Sequence, residues 1–272
     1  MLKGLREALG RDLDSKIPML IPDIMKACFE PRGIKTLRNW LQQNIIADTD
    51  ISTLTNIDLS SQFLYCLPEG ISMMTKLKCL NLSNNLLSNF PCSSLAPLRW
   101  LERLNFSGNQ LKILPQIINF ECLRNLDLSA NQLQSLPSEI GALESLQWLQ
   151  LSHNRLRSLP PEIGSLLRLE ELNLHDNRLH CLPQQIRKLS ALRSLNLREN
   201  HFRSVPAELN HLTGLQFLDL ATNEIRHLFD SPVVQTLSAR PLFKLHARPQ
   251  LRIDVTEYAK VASQITQRQS SL

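Results

Sequence analysis

The feature that most constrains this chain is a 23-residue repeat that occurs three times in succession, beginning at Leu146. The three segments are LQWLQLSHNRLRSLPPEIGSLLR, LEELNLHDNRLHCLPQQIRKLSA and LRSLNLRENHFRSVPAELNHLTG. Leucine occupies the first, fourth and sixth places, asparagine the ninth, proline the fifteenth, and apolar residues the eleventh, fourteenth, eighteenth and twenty-first. A fixed period of this length predicts a solenoid, in which no repeat can bury its leucines without its neighbours.

The spacing within one repeat predicts a short strand followed by a turn. Leu149 and Leu151 alternate with polar or aromatic residues, so they should point into the core while Trp148 and Gln150 point outward. The ninth-place asparagine has a side-chain amide that can bond backbone groups where the chain leaves the strand. Proline at the fifteenth place fixes φ and turns the chain away from the sheet.

The same pattern extends on both sides of this segment and predicts about eight repeats. The first places are Leu54, Leu77, Leu101, Leu123, Leu146, Leu169, Leu192 and Leu215. We therefore predict three regions: an N-terminal helical cap region at 1–53, repeats at 54–231, and a C-terminal cap and tail at 232–272. The first repeat is degenerate, with Gln62 in the asparagine place, and the pattern ends at Pro232.

Both ends of the chain are predicted to cover the solenoid. The segment GIKTLRNWLQQNII places five apolar residues on one helical face, from Ile34 to Ile45, and we expect it to close the open end of the first repeat. At the other end we predict a strand around Leu251–Val255 and a helix that begins near Tyr258. The last residues, QRQSSL, are expected to be disordered.

The consensus LxxLxLxxNxLxxLPxxIxxLxx resembles the 23-residue class of intracellular leucine-rich repeats. This class is found in Ras-pathway scaffolds, in Scribble- and Erbin-like polarity proteins, in plant relatives and in some bacterial effector proteins. The resemblance covers about residues 54–228. It implies an α/β leucine-rich repeat solenoid with a curved parallel sheet, helical caps, and protein binding on the concave face. It carries no catalytic residues to transfer to this chain.

Charge and cysteine usage favour an intracellular protein that binds proteins. The net charge is +5, but residues 54–225 carry 15 basic and 15 acidic groups, so we expect no nucleic-acid partner. The six cysteines are scattered without a close pair, which is typical of a reducing cytosol. No apolar run reaches the length of a signal peptide core or a membrane span. We predict a cytoplasmic monomer, or a protein delivered to a host cytosol if it is a bacterial effector.

One motif imitates an enzyme signature. The segment from His180 to Arg187 fits HCx5R, the pattern of cysteine-dependent phosphatases. That chemistry needs a loop of free backbone N–H groups around a phosphate, whereas here Leu182, Pro183 and Ile186 occupy core and turn places of the repeat. No other catalytic signature is present, and we predict neither an enzyme activity nor a cofactor. We interpret His153 and His175, on neighbouring repeats, as an exposed pair rather than zinc ligands, because zinc normally takes three or four protein ligands.

The outward places of the strands provide the candidate binding surface. Most of them are Asn, Asp or Ser, but Trp148 is a large ring on a face expected to be exposed. Trp and Arg are favoured anchors of protein interfaces. The alternative is that the ring lies flat on its neighbours without a binding role. The predicted partner-binding residues are Trp148, Arg103, Gln150, His153, Glu171, His175, Arg198, Glu199 and Phe217.

A second column follows the strands at the tenth and twelfth places, and we call it the basic edge. It comprises Arg155, Arg157, Arg178, His180, His201, Arg203 and Arg226, with Glu224 as the one acidic member. A run of charges is usually a solvated face, and we interpret the edge in that way. An acidic or phosphorylated partner is the alternative.

These observations predict a non-enzymatic module that binds a protein on the concave face of its repeats. A second hypothesis is an adaptor or bacterial effector, whose N-terminal helices recruit ubiquitination or signalling machinery while the repeats select the target. The identity of the partner is not encoded in the repeat pattern, because only the variable places carry it.

Overall fold

The computed structural model describes residues 53–247, apart from 68, 116–119, 227 and 229. Within this range the chain forms a single open sheet backed by short 3-10 segments and two α-helices. The predicted N-terminal cap helix lies outside the described residues. The strand predicted around Leu251–Val255 and the helix predicted near Tyr258 also lie outside them.

Nine three-residue strands form the sheet, all parallel and in sequence order. Each strand pairs with the next so that equivalent places of successive repeats are neighbours. The strands are β1 (Asn56–Asp58), β2 (Cys79–Asn81), β3 (Arg103–Asn105), β4 (Asn125–Asp127), β5 (Trp148–Gln150), β6 (Glu171–Asn173), β7 (Ser194–Asn196), β8 (Phe217–Asp219) and β9 (Lys244–His246).

The leucine places build the core as predicted. The fourth-place residue of each of the first eight strands is buried, as Ile57 in β1 and as leucine in the other seven, while the third-place neighbours are half-buried or exposed. In β5, for instance, Leu149 is fully buried between the half-buried Trp148 and Gln150. Sixth-, eleventh-, eighteenth- and twenty-first-place side chains complete one continuous aliphatic core. The predicted alternation of inward and outward side chains is confirmed.

The ninth-place asparagines join each repeat to the one before it. The Nδ2 group of Asn154 donates to the carbonyl oxygen of Leu128 in the preceding repeat, at 2.9 Å, and to that of Leu151 in its own, at 3.1 Å. Its Oδ1 atom accepts a hydrogen bond from the backbone N–H of Leu133 at 3.0 Å. The same arrangement recurs at Asn85, Asn109, Asn131, Asn177, Asn200 and Asn223. The predicted role of this amide is confirmed.

The eighth place adopts a left-handed backbone conformation in all eight repeats, which the sequence did not predict. The residues there are Ser61, Asn84, Gly108, Ala130, His153, Asp176, Glu199 and Thr222, with φ between 50° and 65°. Only one of them is glycine, the residue that adopts this region without steric cost. In the second to eighth repeats the buried asparagine that follows holds the turn through its side-chain hydrogen bonds, and so compensates for strain of about 1 kcal/mol or more per residue.

Short helical segments form the side opposite the sheet. The 3-10 segments are Glu69–Met73, Ser138–Ala142, Pro161–Ser165, Gln184–Lys188 and Ala207–His211, and the second repeat has a short α-helix in the same place, α1 (Cys92–Leu95). Most follow the fifteenth-place proline, in agreement with its predicted turning role. Gly141 and Gly164 let neighbouring segments approach closely, because a Cβ at Gly141 would lie 2.8 Å from the carbonyl oxygen of Glu162.

The sheet continues beyond residue 231, so there is one strand more than the predicted eight. After β8 the chain forms helix α2 (Pro232–Ser238), which buries Val233, Val234 and Leu237, and then enters β9. Arg240 donates to the carbonyl oxygens of Leu212 and Asn210 at the end of the last 3-10 segment. Backbone and side-chain hydrogen bonds thus both connect the last repeat to the segment that contains α2 and β9. Among the described residues, no helix is long and apolar enough to cross a membrane.

Candidate partner-binding surface

The third- and fifth-place side chains of the strands together form one surface, which we call the sheet face. At the third place the successive residues run from Arg103 through Asn125, Trp148, Glu171 and Ser194 to Phe217. These six positions lie on adjacent strands, so at about 4.8 Å per strand they extend over roughly 24 Å. This distance is in the range of a protein-binding surface.

Trp148 is held in a defined orientation on this face. Its indole Nε1–H donates to Oε2 of Glu171, its neighbour on β6, at 2.9 Å. The ring is half-buried, and Glu171 is exposed. Part of the ring therefore rests on its neighbours, in line with the alternative interpretation, while the remainder is open to solvent. The hydrogen bond satisfies the polar edge of the ring, which leaves its apolar surface available for contact.

The fifth place has a structural role that the sequence analysis missed. Each of its Asn and Asp side chains accepts a hydrogen bond from the backbone N–H two residues later, as Asn173 does from His175 at 3.0 Å. Equivalent bonds occur at Asp58, Asn81, Asn105, Asp127, Asn196 and Asp219. Gln150 replaces this residue type next to Trp148. Its longer side chain makes no such turn with the residues that the structure describes, and so remains available to a partner.

The predicted residues that follow the strands are already paired with one another. The rings of His153 and His175 meet edge to face with centroids 4.9 Å apart. His153 Nδ1 lies 2.9 Å from Oδ2 of Asp176, and Arg198 Nε donates to Oε1 of Glu199 at 3.0 Å. Sequence reasoning missed Asp176, although its position 23 residues after His153 would have placed it there. No cluster of three or more metal-ligating side chains occurs in the described part of the chain.

Two predicted residues lie away from this group. Arg103 is two strands from Trp148, and its Nε donates to Sγ of Cys79 at 3.1 Å, on the side that faces away from Trp148. Phe217 is three strands from Trp148 on the opposite side and is half-buried. The structure therefore brings Trp148 together with Glu171, whereas Arg103 and Phe217 lie two and three strands away on opposite sides of Trp148.

The basic edge borders an open cleft of about 580 Å³ at the ends of β4 to β8. Ninth-place asparagines form the floor of this cleft, and eighth- and tenth-place side chains form its walls. Glu224 is the best-connected member of the edge. Its Oε1 lies 3.0 Å from Nδ1 of His201, and its Oε2 accepts from Nε of Arg203 at 3.3 Å. These two hydrogen bonds, that from His201 first, lower the pKa of the Glu224 carboxyl below its ordinary value.

The segment that imitates a phosphatase signature follows the repeat pattern instead. Leu182 and Ile186 are buried in the core, as predicted. Pro183 precedes a 3-10 segment in which the backbone N–H of Ile186 donates to the carbonyl oxygen of Pro183. That N–H group is therefore engaged within the turn rather than directed at a bound phosphate. The Cys181 side chain is exposed beside this turn.

Comparison with known families agrees with this architecture. The family model described as "Leucine-rich repeat region" matches residues 88–246, and a second, described as "Leucine Rich Repeat", matches residues 76–98. The first match covers more than half of the chain. The chain is a leucine-rich repeat protein. The predicted family resemblance and solenoid fold are confirmed.

Individual relatives of this leucine-rich repeat protein share only part of its length or of theirs. The mouse leucine-rich repeat and calponin homology domain-containing protein 1 is 40% identical over 97 residues, which are 36% of this chain and 14% of the mouse protein. A leucine-rich repeat protein of Leptospira interrogans superposes with a TM-score of 0.67 at 33% identity, over 77% of this chain and 52% of that one. Internalin C2 of Listeria monocytogenes superposes with a TM-score of 0.62 over 73% of this chain and 82% of its own.

Internalin C2 is 22% identical and therefore shows the fold alone. The chain spans 14% of the mouse relative and about half of the Leptospira protein. Leucine-rich repeat domains generally mediate protein–protein interactions and are typically non-enzymatic. The predicted protein-binding module agrees with this general property of the family.

Proposed function

We propose that this leucine-rich repeat protein binds a partner protein on its sheet face, centred on Trp148. The observation that carries the proposal is the hydrogen bond between Trp148 and Glu171, which fixes an aromatic ring on a face composed otherwise mostly of small polar residues. Fixed aromatic rings are frequent hot spots because they bury a large area with little loss of side-chain entropy. Gln150 lies on the same strand and supplies an unengaged amide.

The surroundings of Trp148 favour a protein rather than a uniformly charged ligand. Glu171 and Asp176 provide negative charge, while Arg198 and Arg103 provide positive charge on both sides. A surface that alternates in sign matches a partner surface of mixed charge. The asparagine ladder beneath holds the strands in a fixed register, so the surface loses little entropy on docking.

The remaining aspects of the function are proposals on the same basis. We propose that the protein acts without an enzymatic activity or cofactor, that it is cytoplasmic and monomeric, and that it has no nucleic-acid partner. The adaptor or bacterial effector hypothesis depends on residues 1–53, which lie almost wholly outside the described part of the chain. It therefore stays a prediction.

A capture experiment with matched variants tests the proposed function. The tagged full-length chain, Trp148→Ala and Trp100→Ala are each used as bait in cell extract, and the bound proteins are quantified by mass spectrometry. Trp100 is 63% exposed in the turn before β3, outside the sheet face, so it controls for the loss of an exposed tryptophan. We expect proteins that are retained by the wild type and by Trp100→Ala but lost from Trp148→Ala. A bound set that depends on Trp100 instead would argue against the sheet face.

A further inference from the structure

The basic edge contains one complete anion-binding arrangement whose anion belongs to the chain itself. In the seventh repeat, the tenth-place His201 and the twelfth-place Arg203 both contact the carboxylate of Glu224, the tenth-place residue of the eighth repeat. The geometry is thus defined: residues at the tenth and twelfth places of one repeat converge on the tenth place of the next. Because the strands of the fifth to eighth repeats are in register, the tenth and twelfth places of these repeats are related in the same way along the backbone.

Two repeats earlier the same arrangement lacks an acidic residue. Arg155 and Arg157 hold the tenth and twelfth places of the fifth repeat, and the place that corresponds to Glu224 is occupied by Arg178. The backbone N–H groups of Arg155 and Arg178 make equivalent bonds to their preceding repeats, at 2.8 Å each, so the backbone positions are equivalent. The twelfth place of one repeat also lies beside the tenth place of the next. His180 of the sixth repeat and His201 of the seventh show this, because their stacked ring centroids lie 5.3 Å apart. The same relation between the fifth and sixth repeats places Arg157 beside Arg178.

The three arginine side chains are exposed and have no acidic partner. No ion pair or side-chain hydrogen bond involves Arg155, Arg157 or Arg178 within 53–247, leaving aside the few residues there that the structure does not describe. In contrast, Arg203 is paired with Glu224 and Arg198 with Glu199. Three like charges on adjacent repeats repel one another, and an anion between them would relieve that repulsion and accept several charge-assisted hydrogen bonds.

We infer that Arg155, Arg157 and Arg178 form a binding site for an anionic side chain, a carboxylate or a phosphate, carried by a segment of a protein partner. The anion lies beside Arg155 and Arg157 in the way that the Glu224 carboxylate lies beside His201 and Arg203. The adjoining cleft accommodates the peptide segment that carries the anion. Arginine suits either anion, because its planar guanidinium group donates two parallel hydrogen bonds. The inference rests on the proposed function in one respect, that the ligand is a protein.

The composition of the cleft favours a short acidic segment over a nucleic acid. Glu199 and Glu224 also line the cleft, one in each of the two repeats that follow Arg178, whereas Asp176 in the repeat of Arg178 is paired with His153. A long polyanion that followed the cleft would meet these carboxylates after passing the arginines, whereas a segment with one or two anionic groups would end before them. Nucleic-acid surfaces in contrast present a continuous basic stripe.

The experiment measures binding of three fluorescein-labelled peptides of equal length to the full-length protein by fluorescence anisotropy. The peptides have the same Gly-Ser sequence with two central glutamates, one central phosphoserine or two central glutamines, and oligothymidylate is the nucleic-acid comparison. The variant Arg155→Gln/Arg178→Gln removes two of the three charges. The matched control Arg168→Gln/Arg187→Gln removes two exposed arginines from the same two repeats but outside the edge.

We expect the wild type to bind at least one of the two anionic peptides but not the glutamine peptide. The edge variant should weaken that binding by about tenfold or more, and the control variant by less than about twofold. Tighter binding of the phosphoserine peptide would identify phosphate as the anion, and tighter binding of the glutamate peptide would identify carboxylate. Glu224→Gln should tighten binding, because it frees His201 and Arg203 to bind a second anion. Glu162→Gln makes the same charge change on the opposite side of the solenoid and should have little effect.

Three results would overturn the inference. One is equal loss of binding in the edge and control variants, which would mean that only net charge matters. Another is the absence of any anionic-peptide binding, and the third is tighter binding of oligothymidylate with the same arginine dependence. Trp148→Ala separates this site from the proposed function. It should leave the affinity for the anionic peptides unchanged and lower the affinity for the partner that binds the sheet face.

Discussion

At the scale of single residues, the ninth-place asparagine carries the heaviest structural role. Asn177 illustrates it: Nδ2 donates to the carbonyl oxygens of Leu151 and Leu174, and Oδ1 accepts the N–H of Leu156. The side chain is buried, so water cannot replace these bonds. Each buried partner left without a hydrogen bond costs about 1–3 kcal/mol. The amide therefore contributes more to stability than its small size suggests.

Asn177→Ala should lower the free energy of unfolding by about 1–3 kcal/mol, since it leaves the buried N–H of Leu156 without an acceptor. The carbonyl oxygens of Leu151 and Leu174 lose one donor each and keep the amides of the neighbouring asparagines. Urea denaturation followed by circular dichroism measures the change. Gln150→Ala is the control, because Gln150 makes no equivalent turn, and it should change stability by less than about 0.5 kcal/mol. Similar shifts in the two variants would show that the asparagine ladder is not a principal source of stability.

Glu224 gives a second prediction at this scale, in which the sign of the pH effect is fixed by its pKa. Hydrogen bonds from His201 and then Arg203 lower that pKa below its ordinary value of 4.5. A lowered folded-state pKa contributes stability that is present above the unfolded-state pKa and is lost as pH falls through the folded-state pKa. His201→Gln should raise the pKa of Glu224, as followed by NMR titration of its side-chain carboxyl carbon. Arg168→Gln should leave it unchanged, and an unchanged pKa in His201→Gln would contradict the assigned cause.

The roles of residues whose identity is fixed by burial could be predicted from the sequence. The roles of residues defined only by their backbone conformation could not. Leucine and asparagine recur because only they fill the core and bond the turn. The left-handed eighth place is occupied by residues as different as His153, Glu199 and Ala130, so no side-chain pattern indicates it. The pairing of Trp148 with Glu171 was not predicted either, because the orientation of a side chain on an exposed strand depends on its neighbours.

At the scale of elements, the close packing of the 3-10 segments depends on two glycines. A methyl group at Gly164 would overlap the carbonyl oxygen of Gln185 in the next segment. That oxygen belongs to the backbone, so relief requires that the two repeats move apart. Arg187 occupies the equivalent place in the next repeat, which shows that the requirement is local to the middle of the solenoid.

Gly164→Ala should therefore destabilise the protein by about 1–3 kcal/mol, the usual cost of adding a methyl group to a closely packed site. The thermal unfolding midpoint, followed by calorimetry, measures it. Ser165→Ala, at the exposed neighbouring position of the same segment, is the control and should be nearly neutral. If Gly164→Ala were as stable as the wild type, the 3-10 segments would have to be able to separate at little cost.

The end of the solenoid was the element least accessible to prediction. Strand β9 begins 27 residues after β8, from Phe217 to Lys244, because helix α2 replaces the usual short 3-10 segment. The longer interval removes the 23-residue register on which the sequence prediction relied. Leu245 continues the leucine column at the fourth place, whereas Leu242, at the first place, is 81% exposed instead of buried. The predicted strand around Leu251–Val255 lies outside the described residues and stays a prediction.

At the scale of the whole molecule, the solenoid has two ends to protect. Residues 1–53 are predicted to cover the first repeat. Deletion of residues 1–50 should then expose its leucines and cost several kcal/mol, at about 25 cal/mol per Å² of apolar surface. Sedimentation and thermal unfolding of the truncated protein measure the effect. A truncated chain that stays monomeric and unfolds at the wild-type temperature would show that this region is a separate unit, as the adaptor hypothesis requires.

The whole solenoid also presents one face that differs from the rest. The sheet face is continuous from Arg103 to Phe217, and the tryptophan at its centre is fixed by a neighbouring strand. A sequence can predict this face from the alternation within each strand. It cannot predict the partner, because complementarity depends on the partner's own surface.

The most direct test is isothermal titration of a partner identified by capture against Trp148→Ala and Trp100→Ala. We predict that Trp148→Ala weakens the binding free energy by about 2 kcal/mol or more, while its thermal unfolding midpoint stays close to that of the wild type. Trp100→Ala should bind with wild-type affinity. If Trp148→Ala binds normally and Trp100→Ala does not, the partner docks outside the sheet face and the proposed site is wrong.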